Sequence, residues 1–262
     1  MHIILLSGGS GKRLWPLSND IRSKQFIKIF RRGDGGYESM VQRMYREILE
    51  ADPDASVSIA TSKSQVSAIH NQLGEQVGIS VEPCRRDTFP AIALATMYLH
   101  DVQGVGEDEA VVVCPCDPYV EKDYFRALKR LSALAESGAA DLCLLGMEPT
   151  YPSEKYGYIL PASKAAESRV KSFREKPDEA AALPFCSLRT KRILAAGATP
   201  QSHHKNRSST THAPAPLLLQ TSRLSQLNGT IRSIHHCRPR SVQQIPPWSL
   251  LLSVIVPVSQ SA

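Results

Sequence analysis

Between residues 184 and 262 there is not one aspartate or glutamate, although the 183 residues before them hold all 25 of the chain's acids. At the acid frequency of the first part, a stretch of 79 residues should contain about eleven. It contains nine Lys and Arg instead, a charge of +9, whereas residues 1–183 carry 22 Lys and Arg and so a net of −3. The overall +6 describes neither part. As the surplus of a nucleic-acid binder it is disfavoured, because residues 184–262 lack both the Lys-rich blocks and the interleaved aromatics of a basic nucleic-acid arm. Zinc and disulfide signatures are missing too. The six cysteines (Cys84, Cys114, Cys116, Cys143, Cys186, Cys237) form no CxxC pair and have no His at zinc-ligand spacing, so reduced thiols are expected. The first residues lack a basic leader, and the longest apolar run, LLLSVIVPV at 250–258, is about half of a membrane span. The expectation is a cytoplasmic protein with no membrane partner.

What is present in residues 1–183 is an alternation of short apolar runs with helical patterns. HIILL at 2–6 ends in glycines and reads as a strand buried on both faces. Residues 37–49 space Met40, Val41, Met44, Tyr45, Ile48 and Leu49 along one helical face. Strands at 57–60, 77–81, 110–113 and 142–145 then alternate with helices at 62–73, 90–99 and 124–134. This order calls for an α/β, Rossmann-like domain with a parallel-rich sheet and helices on both faces. In such sheets ligands bind beyond the carboxyl ends of the strands, so the loops that follow strands should hold the chemistry.

The first such loop reads LSGGSGKRLWPLS, residues 6–18. Gly8, Gly9 and Gly11 allow phosphates to approach backbone N–H groups, and Arg13 and Lys24 supply cations for an oligophosphate. A Walker loop is excluded, since Leu6 stands where its first Gly belongs and Arg13 where its Ser or Thr belongs. The dinucleotide fingerprint fails on spacing, and Pro16 would cut short its helix. The second loop, EPCRRDTFPAIALA at 82–95, contains Arg86, Asp87 and Thr88; the last two have the character of an ordinary helix cap. The third, CPCDPYV at 114–120, places Asp117 past the end of an apolar strand. A carboxylate there suits Mg²⁺, which takes one or two carboxylates plus phosphate oxygens, and equally suits a turn before Pro118.

GGSGKRLWPLS with Lys24 downstream resembles the signature of the sugar-nucleotide pyrophosphorylases, and Trp15-Pro16-Leu17-Ser18 is most similar to the mannose-1-phosphate guanylyltransferase branch. Lys12 stands where that branch usually has Thr, Ser23 where it commonly has Pro, Asp87 where it has Asn, and Pro118 where it has His. The resemblance covers residues 1–183, with KYGYI (155–159) and VKSFREKP (170–177) as its later motifs. It implies nucleotidyl transfer from GTP to mannose 1-phosphate, giving GDP-mannose and pyrophosphate. Arg13 would clamp the departing pyrophosphate, and Lys24 would offset charge at the α-phosphate. Gly8, Gly9, Gly11, Arg86, Asp87 and Thr88 would hold the nucleotide, and Asp117 would bind Mg²⁺. Gly157, Glu175 and Lys176 would line the sugar phosphate. Another sugar-1-phosphate nucleotidyltransferase and a non-catalytic nucleotide-binding remnant are the alternatives, and homo-oligomerisation stays open.

After Glu-Lys-Pro the resemblance stops. The family's Ala-Leu-Trp-Asn segment and its second metal-binding Asp, near Gly-Thr-Trp, are not found, and residues 184–262 contain 12 Ser and 8 Pro. Three readings compete for this stretch: a basic nucleic-acid arm, a different second domain, and translation in the wrong phase after residue 183. The last is favoured, because it erases acids and motifs together at one point. Activity of this chain is accordingly in question, and residues 184–262 are expected to be disordered or out of frame.

Overall fold

The computed structural model describes residues 1–8, 18, 23–140, 142–147, 149–163, 165–186, 192–196 and 253–257. Its sheet starts where the sequence does. Strand β1 (His2–Leu6) lies between β4 (Ser56–Ser62) and β6 (Ala110–Pro115), and β5 (Gly78–Glu82) flanks β4, all four parallel. The register sets Leu6 beside Ala60 and Pro115, so β1 and β6 finish level while β4 runs two residues further.

Residues alternate between two buried faces, which is why HIILL reads as an unbroken apolar run. Ile3 and Leu5 join Val57, Ile59, Val112 and Cys114 under α1 (Met40–Ala51), α2 (Val66–Leu73) and α4 (Lys122–Glu136). Ile4 joins Ala60, Val111 and Val113 under α3 (Thr88–Asp101), which contributes Ile92, Ala95 and Leu99. Helices therefore cover both faces, as the alternating pattern demands. The amphipathic stripe of α4, Phe125, Leu128, Leu131 and Ala135, is buried throughout; truncating one of its leucines to Ala would cost about 2–5 kcal/mol. Helix α1 begins one turn later than its apolar pattern suggests. Residues 37–38 form strand β3, which pairs with β2 (Phe30–Arg31), and Ser39 then caps the helix. Its Oγ accepts from Gln42 N (3.3 Å) while Gln42 Oε1 accepts from Ser39 N (3.1 Å), a reciprocal capping box.

Beyond α4 the sheet continues through β7 (Leu142–Gly146), β8 (Tyr158–Pro161) and β9 (Glu167–Arg174), the last two antiparallel, followed by α5 (Glu179–Cys186). The structure differs from the sequence reading in the final part of the chain, where no strand was expected. Arg192–Ala196 forms β10 between β7 and β9, and Ser253–Pro257 forms β11 between β6 and β7. The segment SVIVP, rich in β-branched residues, suits such a position. Four cysteines have described side chains, and all four are free thiols. Burial pushes Cys114 and Cys116 up to about 12, which makes them unreactive. Among the described residues no helix is long and apolar enough to cross a membrane.

Candidate active site

Ser7 and Gly8 continue β1 past its carboxyl end. The Ser7 N–H donates to Ala60 O (2.8 Å), and the Cys116 N–H donates to Leu6 O (3.2 Å), so the loop that starts at residue 7 and the loop carrying Asp117 leave the sheet side by side. The chain then returns at Ser23 and makes a short 3₁₀ turn, Lys24–Phe26. Three glutamines fasten that turn. Gln25 Nε2 donates to Ser7 O (3.1 Å) and Ser7 Oγ (3.2 Å), Gln65 Nε2 donates to Ser23 Oγ (2.7 Å), and Gln72 Nε2 donates to Phe26 O (2.9 Å). Gln65 is itself oriented by Thr61, whose Oγ1 donates to Gln65 Oε1 at 2.8 Å. Ser23, Gln25, Thr61 and Gln65 are all buried. Polar groups removed from water in this way are costly to leave unmatched, so the network specifies one conformation of the turn.

The turn delivers Lys24 to Asp117. Its Nζ lies 2.7 Å from Asp117 Oδ2, with both side chains partly accessible. The backbone after Asp117 is held from α1. The buried Arg43 donates from Nη2 to Val120 O (2.7 Å) and lies 4.4 Å from the centroid of the Tyr119 ring, which also stacks on Phe30. Two residues 93 positions apart are thus brought together at the ends of adjacent parallel strands, where an α/β sheet binds its ligand.

Mg²⁺ fits this arrangement on one condition. Among the described residues no cluster of three or more His, Cys, Asp or Glu surrounds Asp117. A cation on this carboxylate would draw most of its ligands from phosphate oxygens and water, the coordination that Mg²⁺ favours at nucleotide sites.

Around this centre lie two further groups. On the β5 side, Glu82 places its Oε1 3.5 Å from where a side chain at Gly8 would begin, an ordinary van der Waals separation that sets the carboxylate beside the start of the first loop. Desolvation holds the Glu82 carboxyl above its ordinary range, and the charge of Arg85 only partly opposes this. The loop then turns into α3. Asp87 adopts φ 74° and caps the helix, its Oδ1 accepting from Thr88 N at 2.8 Å, while Arg86 Nε approaches Cys84 Sγ at 3.3 Å. Desolvation first, then the neighbouring Tyr151 and the charge of Asp117, raise the Tyr156 phenol. Next to Tyr156, a side chain at Gly157 would run into the Phe173 ring and lie 3.0 Å from Glu175 Oε2. A larger residue at 157 would therefore have to displace the exposed Phe173 ring. Lys176, at φ 39°, pairs with its neighbour Glu175 at 3.3 Å.

The structure thus brings Lys24 to Asp117, Gly157 to Glu175, and Gly8 to Glu82, while Lys176 pairs with its neighbour Glu175. Arg86, Asp87 and Thr88 sit at the start of α3, with a capping geometry in Asp87 and Thr88. Gly9, Gly11 and Arg13 lie outside the described residues. Sequence reasoning missed Gln25, Gln65, Gln72, Arg43, Glu82, Tyr151 and Tyr156. Glu82 could have been found, because it is the last residue of an apolar run directly before Pro83; the glutamines leave no such signal.

Comparison with known proteins gives the family. Residues 2–204 match the family model described as nucleotidyl transferase. Over 192 residues the chain is 34% identical to the alginate biosynthesis protein AlgA of Pseudomonas putida strain KT2440, covering 70% of this chain and 37% of that protein. Over 189 residues it is 31% identical to a mannose-1-phosphate guanylyltransferase of Sinorhizobium fredii strain NGR234, covering 68% and 35%. A crystal structure of mannose-1-phosphate geranyltransferase from Thermus thermophilus superposes with a TM-score of 0.59 at 28% identity, over 71% of this chain and 53% of that one. The chain spans little more than a third of the length of the curated relatives it matches.

Proposed function

The chain belongs to the nucleotidyl transferase family, and from that premise we propose that it transfers a guanylyl group from GTP to mannose 1-phosphate. A phosphate oxygen of the sugar phosphate forms a bond to the α-phosphorus as the bond to pyrophosphate breaks, giving GDP-mannose. No covalent enzyme intermediate and no general base are needed, so catalysis consists of positioning and charge neutralisation.

The observation that carries this reading is the 2.7 Å approach of Lys24 to Asp117 at the strand ends. In the proposed reaction Lys24 offsets charge at the α-phosphate and Asp117 holds Mg²⁺. Mg²⁺, when bound, supplies neutralisation of phosphate charge. Arg13 clamps the leaving pyrophosphate, while Gly8, Gly9 and Gly11 offer backbone N–H groups to the phosphates. Gly157, Glu175 and Lys176 receive the sugar phosphate. The reaction is that of a cytoplasmic enzyme with no membrane or nucleic-acid partner.

The preference for guanine is supported by Glu82. Guanine presents two adjacent donors, N1–H and N2–H, and a half-buried carboxylate beside Gly8 can accept both. Another sugar-1-phosphate nucleotidyltransferase activity is the second reading, since the same centre would serve any sugar phosphate. Product analysis by mass spectrometry with GTP, ATP, UTP and dTTP, each against mannose 1-phosphate and glucose 1-phosphate, separates the two. GDP-mannose should dominate, and Glu82→Gln should lower the GTP preference about tenfold or more. Because the Glu82 pKa is raised, that preference should fade as pH drops through it, whereas in Glu82→Gln it should be flat. Equal turnover of all four nucleotides would remove guanine from the proposal.

A further inference from the structure

Lys24 does more in this structure than wait for a phosphate. Its ammonium sits against the same carboxylate that the proposed function assigns to Mg²⁺, at 2.7 Å from Asp117 Oδ2. The backbone beneath it is not free to drift, because Ser23, Gln25 and Phe26 are each anchored by a glutamine or through one. Nor does a ready-made ligand cluster stand there. Among the described residues there is no group of three metal-ligating side chains. A dication entering alone would meet a carboxylate that is already paired, outside any such cluster, and would be repelled by the ammonium. A nucleotide triphosphate changes both conditions at once, since its oxygens can ligate the cation and accept Lys24.

We propose that the Lys24–Asp117 ion pair is a lock on the cation position, which closes it to a bare divalent cation and opens when a nucleotide phosphate takes Lys24 from the carboxylate. The cation and the nucleotide then bind as a coupled unit, with Lys24 changing partner from Asp117 to a phosphate oxygen. This rests on the proposed function for the identity of the nucleotide. Closure of the position in the nucleotide-free protein does not depend on that identity. As the coupling is thermodynamic it is reciprocal: the nucleotide should tighten the cation by the factor by which the cation tightens the nucleotide.

The probe is Mn²⁺, titrated into the full chain while electron paramagnetic resonance reads the free ion, first without nucleotide. Lys24→Met should bind Mn²⁺ about tenfold more tightly than the unmodified protein, the scale of a hydrogen bond between charged groups. Lys28→Met removes the same charge from an exposed position four residues on and should stay within about twofold, since it acts only through screened solvent. Asp117→Asn should abolish the site in either background. Adding GTP should tighten Mn²⁺ in the unmodified protein and do so by a smaller factor in Lys24→Met. Circular dichroism confirms folding, and Lys24→Gln serves if Lys24→Met does not fold. Equal nucleotide-free affinity in the Lys24 variant and the unmodified protein would overturn the lock. So would an equal gain from Lys28→Met. If GTP changes neither protein while the nucleotide-free difference stands, the lock survives and the assignment of GTP fails.

Discussion

The proposed reaction gives both Lys24 and Lys176 a phosphate to bind, and the two are mounted in opposite ways. Lys24 projects from a turn fixed by buried glutamines and ends on a carboxylate 93 residues away. Lys176 follows the last, largely exposed residues of β9 and pairs with the residue beside it. The Lys24–Asp117 pair is therefore in place before any ligand arrives, held by contacts that span the core. The proposed sugar side depends on the β8–β9 hairpin at the edge of the sheet and on side chains in solvent. Pre-organised charge needs no rearrangement in the transition state, and so the larger catalytic contribution should come from the nucleotide side.

Three substitutions test that contrast. Lys24→Met should lower kcat about 10²-fold or more, as loss of a transition-state cation does. Steady-state kinetics would show it, and an equal or larger loss from Lys176→Met would reverse the ranking. Gln65→Ala removes the partner of both Thr61 and Ser23 in a buried site and should cost about 1–3 kcal/mol in chemical denaturation. It should also slow turnover about tenfold through a misplaced Lys24; a stability loss with unchanged kcat would mean that the network does not position the lysine. The smallest effect belongs to Gly157→Ala. Its new methyl group must push the Phe173 ring aside, so KM for the sugar phosphate should rise a few-fold, about 1 kcal/mol, with GTP affinity unchanged. The pair Gly157→Ala and Phe173→Ala should recover most of that loss. A matching fall in GTP affinity would show that the two sides are not independent.

The same contrast explains what could be read from the sequence. The parallel core was legible because β1, β4 and β6 are buried on both faces, which leaves continuous apolar runs, and because α1 and α4 keep a helical stripe. Lys24 and Asp117 were legible singly, each in a loop after a strand and each in a motif resembling the pyrophosphorylases. Their meeting depends on the sheet order and on the buried Gln25 and Gln65 and the half-buried Gln72, and such a glutamine has no local pattern to mark it. Asp87 shows the converse: the sequence offered a cap and a nucleotide contact, and the structure displays the cap. For the sugar side the motifs KYGYI and VKSFREKP gave strands in the right places but not the packing of Gly157 on Phe173. Residues 192–196 and 253–257 are not legible as strands in the sequence, because their pairing partners lie far away in the chain and the second belongs to an apolar run that is too short for a membrane. The loss of acids after residue 183 remains the sharpest feature of the sequence. The phase-error reading can be examined by translating codons 180–190 in all three frames, where an Ala-Leu-Trp-Asn-like motif in another frame would confirm it.

If the nucleotide side is assembled in advance, it should not need the sugar. The decisive measurement is calorimetric titration of GTP with Mg²⁺ into the full chain, once alone and once with a saturating, non-reactive phosphonate analogue of mannose 1-phosphate. The account predicts GTP binding in both cases, with affinities equal within about threefold, less than about 1 kcal/mol apart. Binding of GTP only when the sugar phosphate analogue is present would contradict it, because the nucleotide site would then be built by the ligand and not by the fold.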